Sequence, residues 1–133
     1  MKVYIAYKFS GNDLEKLKSN LIEFDKVIKK LKHHSFIFFR DVQNWVKGNS
    51  SAKSIITEAF ENIKKCDVIL AIIESPEKSE GMLLECGYGK ALGKKIIVAS
   101  KPEGRAFLLK AMADTFFEFN NLNDFELKLK EVL

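Results

Sequence analysis

Hydrophobic positions along this chain alternate between a period of two and a period between three and four. Val3–Tyr7 (VYIAY) is a β-branched and aromatic run of strand length. It ends in Ser10-Gly11-Asn12, a turn cluster that also offers a helix N-cap. Leu14, Leu17, Leu21, Phe24, Ile28 and Leu31 then recur at spacings of three and four, the stripe of an amphipathic helix. Ser35–Phe39 (SFIFF) reads as a second strand, and a polar loop over 40–51 holds Trp45. Ile55, Ile56, Ala59, Phe60 and Ile63 mark a second helix that starts near Ser50 or Ser51. Residues 68–73 (VILAII) are apolar throughout, as in a central strand covered on both faces. The loop 74–81 (ESPEKSEG) feeds a third helix that runs to about Leu92 and is stopped by Gly93. A strand over 94–100, a short helix around 103–112, a strand over 115–119 and a helix over 123–132 follow.

Five strands alternating with five helices predict an α/β fold with right-handed crossovers and a parallel sheet. The expected architecture is a flavodoxin-like three-layer sandwich with strand order 2-1-3-4-5, one domain over residues 1–133. Such sheets bind ligands at the carboxyl ends of their strands, beside the switch point between strands 1 and 3. That selects two loops, 8–12 with Phe9, Ser10 and Gly11, and 74–81 with Ser79 and Gly81.

Composition narrows the ligand. Twenty-two Lys and Arg against eighteen Asp and Glu give a net charge of +4, with the lysines spread among acidic residues. A nucleic-acid polymer binder would gather them into a stripe or tail, whereas a small anion needs only a few. Two cysteines outside any CxxC, with only two adjacent histidines, give no metal-ligand spacing. No apolar run approaches the roughly 20 residues that cross a bilayer, and the first residues lack a signal-peptide pattern. The expectation is a cytoplasmic protein that acts without membrane, metal or cofactor.

At the selected loops, Ser79-Glu80-Gly81 opens the third helix, where a hydroxyl and free N–H groups suit an anion. Taken alone, Ser79 is explained as an N-cap. No GxGxxG or Walker A pattern signals a dinucleotide or triphosphate. Glu85 is the one charge in the stretch GMLLECGYG, and an isolated carboxylate at a strand-end crevice suits a nucleophile or a tuned acid. A raised pKa there would fit a proton donor, whereas a nucleophile should stay ionised near neutrality. Phe9 and Trp45 are candidates to stack on a nucleobase.

The segments VYIAYKFSG, IKKCDVILAII and SEGMLLECGYGKALGKKIIV together resemble the nucleoside 2-deoxyribosyltransferase-like superfamily, which includes 2′-deoxynucleoside 5′-monophosphate N-glycosidases. The resemblance covers most of the chain. Its core is Asp67 to Val98, where Glu85-Cys86-Gly87-Tyr88-Gly89 fits Glu-x-Gly-x-Ala with glycine in place of the usual alanine. It implies cleavage of the N-glycosidic bond of a nucleoside or its 5′-monophosphate, or transfer of the base. Glu85 matches the family nucleophile and Tyr4 the strand tyrosine that approaches it, while Ser79 and the adjacent Gly81 match the phosphate site. The resemblance also implies a homodimer or larger homo-oligomer, with Asn120, Asn121, Asn123, Arg105 and Lys110 as candidates to complete a neighbour's site. One departure concerns the family's second-helix aspartate, which helps protonate the leaving base. Ala59 stands there, leaving Glu58, Glu61 and Asp41 as the nearby carboxylates. Two other readings follow from the fold: a nucleotide-binding module without catalysis, in signalling or defence, and a TIR-like NAD hydrolase.

Overall fold

The computed structural model describes Met1–Leu133. Along the chain it forms β1 (Lys2–Ala6), α1 (Leu14–Lys30), β2 (His34–Phe36), α2 (Phe38–Asp41), α3 (Ala52–Lys65) and β3 (Val68–Ile73). There follow α4 (Glu80–Ala91), β4 (Lys95–Ser100), α5 (Phe107–Met112), β5 (Thr115–Glu118) and α6 (Leu122–Val132). All five strands are parallel, in the order β2-β1-β3-β4-β5. This is the flavodoxin-like order expected from the alternation. No helix is long and apolar enough to cross a membrane.

Alternation along the central strands divides the core into two layers. Val3, Ile5, Val68, Leu70, Ile72, Ile97 and Ala99 face α1 and α6, where Leu21, Phe24, Ile28, Phe125 and Leu129 meet them. Tyr4, Ala6, Ile69, Ala71, Ile96 and Val98 face the other way, toward Ala59 and Ile63 of α3 and Met82 and Cys86 of α4. Helices on both faces explain why β3 has no polar position. At the amino ends of β1 and β3, Asp67 accepts a bond from the Lys2 amide (2.8 Å) and returns one from its own amide to the Lys2 carbonyl (2.8 Å).

Three boundaries differ from the sequence expectation. The Asp13 carboxylate caps α1, accepting from the amides of Glu15 (3.0 Å) and Lys16 (3.3 Å); the preceding cluster turns at Gly11, whose φ is +79°. The second strand stops at Phe36, and Phe38 and Phe39 belong to the helical turn α2. Side chains hold that turn: Asp41 accepts from the Ile37 amide (2.9 Å) and the Tyr7 hydroxyl from the Phe39 amide (2.8 Å). Helix α5 begins at Phe107 rather than near 103, because Gly104 packs its backbone against Ile73 and the Ser100 hydroxyl, too close for a Cβ.

Gly89 marks another close approach, in the middle of α4. A Cβ there would collide with Cδ1 of Ile69, a fully buried residue, and would lie 3.6 Å from Cδ1 of Ile96. The isoleucine methyl fills the space that the family's usual alanine would occupy. Gly89→Ala is expected to lose stability, because overpacking at ~1–3 kcal/mol exceeds the ~1 kcal/mol that alanine gains in a helix. Ile69→Val removes the blocking methyl, so in the double variant the two costs should fall short of their sum by ~1 kcal/mol or more. Urea unfolding of the two single variants and the double variant measures this. Strictly additive losses would show that another contact excludes the side chain.

Candidate active site

The carboxyl end of β1, α2 with the loop after it, α3 and the start of α4 surround a cleft of about 670 Å³. Its floor follows from the strand register. Tyr4 pairs with Ile69 at the centre of the sheet, and its side chain points into the α3–α4 layer, where it stacks on Phe36 at 5.3 Å between ring centroids. Its hydroxyl donates to Glu85 Oε2 from beneath, while Glu85 itself lines the cleft. Tyr4 is fully buried, so it reaches the cleft only through Glu85.

The environment of this pair explains its ionisation. Burial pushes the Glu85 carboxyl up to about 7, and the Tyr4 hydrogen bond, which favours the carboxylate, offsets part of that rise. Burial, then the Glu85 charge and the hydrogen bond to it, hold the Tyr4 hydroxyl far above its ordinary range, so Tyr4 remains the donor. Tyr7, just past the end of β1, lines the cleft and is raised too, chiefly by burial. Cys86, behind Glu85, is pushed up to about 12 by burial first and then by the Glu85 charge.

At one end of the cleft, Ser79 caps α4, its Oγ accepting from the Met82 amide (3.3 Å), with Gly81 beside it. Lys8 and Lys78 flank this helix start, Lys8 being steadied by Glu77 at 3.1 Å. The loop after β1 contributes Phe9 and Ser10, and is knitted together by bonds from Lys8 to the Ser10 carbonyl and from Asn12 to the Lys8 carbonyl. The opposite wall is apolar: Phe38 from α2, and Ile55, Ile56, Ala59 and Phe60 from α3. Gln43, Lys47 and Gly48 complete the rim. A smaller hollow of about 140 Å³ lies between α4 and α5, and Lys8, Lys78 and Ser79 border both.

Of the residues singled out from sequence, Glu85, Ser79, Gly81, Phe9 and Ser10 therefore line one cleft, with Tyr4 beneath it. Gly11, Asp41 and Trp45 do not line it. Gly11 turns the backbone at the tip of its loop. Asp41 is held by the Ile37 amide and by Arg40 Nε (2.9 Å), and so serves the α2 turn. Trp45 packs edge-on against Phe39 with Lys18 over its other side, which takes it away from any base. Glu58 and Glu61 are exposed on α3, and Glu61 pairs with Lys64 at 3.0 Å. Asn121 caps α6, accepting from the Asp124 amide (2.9 Å), and Arg105 borders the smaller hollow.

Sequence reasoning did not single out Tyr7, Gln43 or Lys47, and it read Ile55, Ile56 and Phe60 only as marks of a helix. A signal existed in α3, which carries more apolar positions than one stripe requires. Ile55 and Ile56 remain 38% and 42% exposed because they face the cleft.

A family model described as nucleoside 2-deoxyribosyltransferase matches residues 3–123. The chain belongs to that family. Three solved structures share the fold. A CMP N-glycosidase from Clostridium botulinum is 20% identical with a TM-score of 0.72, covering 100% of both chains. A 2-deoxyribosyltransferase from Bacillus psychrosaccharolyticus is 25% identical with a TM-score of 0.72, over 95% of this chain and 90% of that one. A 2-deoxyribosyltransferase from Leishmania mexicana is 22% identical with a TM-score of 0.59, over 75% of this chain and 64% of that one. No curated protein matches the sequence significantly.

The raised Glu85 pKa carries a stability consequence whose sign is fixed by linkage. The unfolded chain ionises this carboxyl near 4.5 and the folded chain near 7. Below 4.5 the group is neutral in both states. As pH rises from there through 7, folding comes at the cost of keeping a proton or burying a charge. Glu85→Gln, still able to accept from Tyr4, should therefore raise unfolding free energy by ~3 kcal/mol at pH 8, with the gain vanishing toward pH 4.5. Denaturant titrations at both pH values test this, and a gain of equal size at both would refute the assigned cause.

Proposed function

We propose that this protein cleaves the N-glycosidic bond of a nucleoside 5′-phosphate, with Glu85 as the nucleophile. The observation that carries the reading is Glu85 on the floor of a cleft whose one end is the capped start of α4, flanked by Lys8 and Lys78. A phosphate at that helix start would meet free N–H groups, the Ser79 hydroxyl and two ammonium groups. The sugar would then lie over Glu85, and the base against the apolar wall. Membership of the nucleoside 2-deoxyribosyltransferase family supports nucleoside chemistry, and likeness to a CMP N-glycosidase agrees with a phosphorylated substrate.

In this reaction the Glu85 carboxylate attacks C1′ as the C1′–N bond breaks, and it stabilises the oxocarbenium-like charge on the sugar. Water then displaces Glu85 from C1′, freeing the sugar phosphate and regenerating the carboxylate. Transfer would follow if a second base replaced that water. Tyr4 positions and tunes rather than touches substrate: its hydroxyl favours the ionised carboxylate and holds it in one orientation. A phosphate anchored at Ser79 fixes the sugar with respect to Glu85.

Chromatographic assay of base release from nucleoside 5′-monophosphates and free nucleosides tests the reading. Glu85→Gln should abolish release, a loss of ~10³-fold or more. Ser79→Ala should raise KM for the monophosphate about tenfold and leave free nucleosides unaffected. With wild type, kcat/KM should rise with pH and level off above about 7, as Glu85 ionises. Tyr4→Phe removes a bond that favours the carboxylate, so this limb should move to higher pH. Release that survives in Glu85→Gln would exclude the nucleophile assigned here.

A further inference from the structure

The wall against which the base would lie poses a chemical problem. A neutral nucleoside base leaves as an anion unless a positioned acid protonates it. The residues of that wall, Phe38 of α2 with Ile55, Ile56, Ala59 and Phe60 of α3, contain no proton donor. Glu58 and Glu61, the acids of α3, are exposed and lie outside the cleft. The two carboxyls that do line it are engaged elsewhere: Glu85 attacks and cannot also donate, and Glu80 is exposed in the first turn of α4, at the phosphate end. The Tyr7 hydroxyl is engaged with the Phe39 amide, and burial raises its pKa, which makes it a weak acid. The Gln43 amide can bond but not protonate, Lys8 and Lys78 lie at the phosphate end, and Lys47 is an exposed ammonium group at the rim.

We infer that the preferred substrates carry a positive charge on the base before the bond breaks: N-ribosyl pyridinium or N7-alkylated purine nucleotides. The inference rests on the glycosidase reading above and deepens it. For such a glycoside, Glu85 Oε bonds to C1′, the C1′–N bond breaks, and its electron pair returns to the ring nitrogen. The base departs neutral with no proton supplied. Water then takes the place of Glu85 at C1′, leaving a hydroxyl there and one proton in solution. The wall suits a flat cation, since aromatic faces attract one. Phe60 is stacked on Tyr88 at 4.0 Å with an interplanar angle of 6°, which fixes its ring at the edge of the cleft. A cation above Glu85 would also hold that carboxylate ionised.

The test compares wild-type protein on matched pairs: N7-methylguanosine 5′-monophosphate with guanosine 5′-monophosphate, and the corresponding 2′-deoxy pair. Nicotinamide mononucleotide, set beside cytidine 5′-monophosphate, distinguishes a pyridinium from an alkylated purine. All rates are corrected for uncatalysed decay. Within each pair the cationic member should have a kcat/KM at least ~100-fold higher. Its kcat should show a single ascending limb below that of kcat/KM and no descending limb up to pH 9, since no group need stay protonated. Comparable rates within pairs, or a bell-shaped profile, would reveal a proton donor and overturn the inference while leaving the glycosidase reading intact. Failure to release base from any substrate, by protein shown to be folded, would overturn both.

Discussion

The bond from Tyr4 to Glu85 joins the middle of the sheet to the floor of the cleft, and most of the site's geometry depends on it. A carboxylate with one protein donor in a partly closed apolar cleft is a poor arrangement for stability, since burial favours its neutral form. The hydroxyl beneath it offsets that preference in part. It can do so because β1 lies between β2 and β3, which places Tyr4 under α4 with no freedom to turn away. The result is a carboxyl that changes charge near neutrality. A surface glutamate would stay ionised and hydrated, and a fully encased one would stay neutral.

The far side of the cleft depends on a second polar assembly. Asp25, almost buried in α1, pairs with Arg40 (3.2 Å) and Lys29 (2.7 Å) and accepts from Ser35. Arg40 also bonds the Ser35 carbonyl (2.8 Å) and Asp41. Against the effect of burial, the bonds from Lys29 and Ser35, and then the charge of Arg40, hold the Asp25 carboxyl below the usual carboxylate range. The network ties the short turn α2 to α1 and β2, while Tyr7 ties it to the end of β1. Phe38 is thereby presented to the cleft, and Phe39 to the opposite core layer.

The pattern of apolar residues carried the strand order, the switch point and the two loops that meet there, because periodicity and alternation are local properties of sequence. Glu85 stood out for the same reason, as one charge in an uncharged helical stretch. The failures have a common cause. Phe38 and Phe39 have strand-like side chains, yet their backbone follows bonds from Tyr7 and Asp41 that no local pattern encodes. The start of α5 depends on Gly104 meeting Ser100 and Ile73 across the sheet edge. Asp41 and Trp45 fell in a polar loop facing the presumed site, but Arg40 and Phe39 take them elsewhere. Apolar residues that line a cleft read like core residues in sequence, so the role of α3 as a wall was hidden.

That wall bears on chemistry as well as packing. On the reading proposed above, attack by Glu85 and departure of the base are separate demands, and the cleft provides for them unequally. Attack is served by a positioned carboxylate, a buried tyrosine and a helix start suited to phosphate. Departure is served by hydrocarbon. An apolar wall stabilises a flat ring by excluding water, but it cannot stabilise a growing negative charge on that ring. Barriers therefore fall most for bases that gain no negative charge when they leave. The same wall raises the Glu85 pKa by excluding water, and an ionised Glu85 then sees its strongest attraction from a cationic ring. On that reading Glu85 and the wall favour the same kind of substrate, because both effects arise from one low-dielectric cleft.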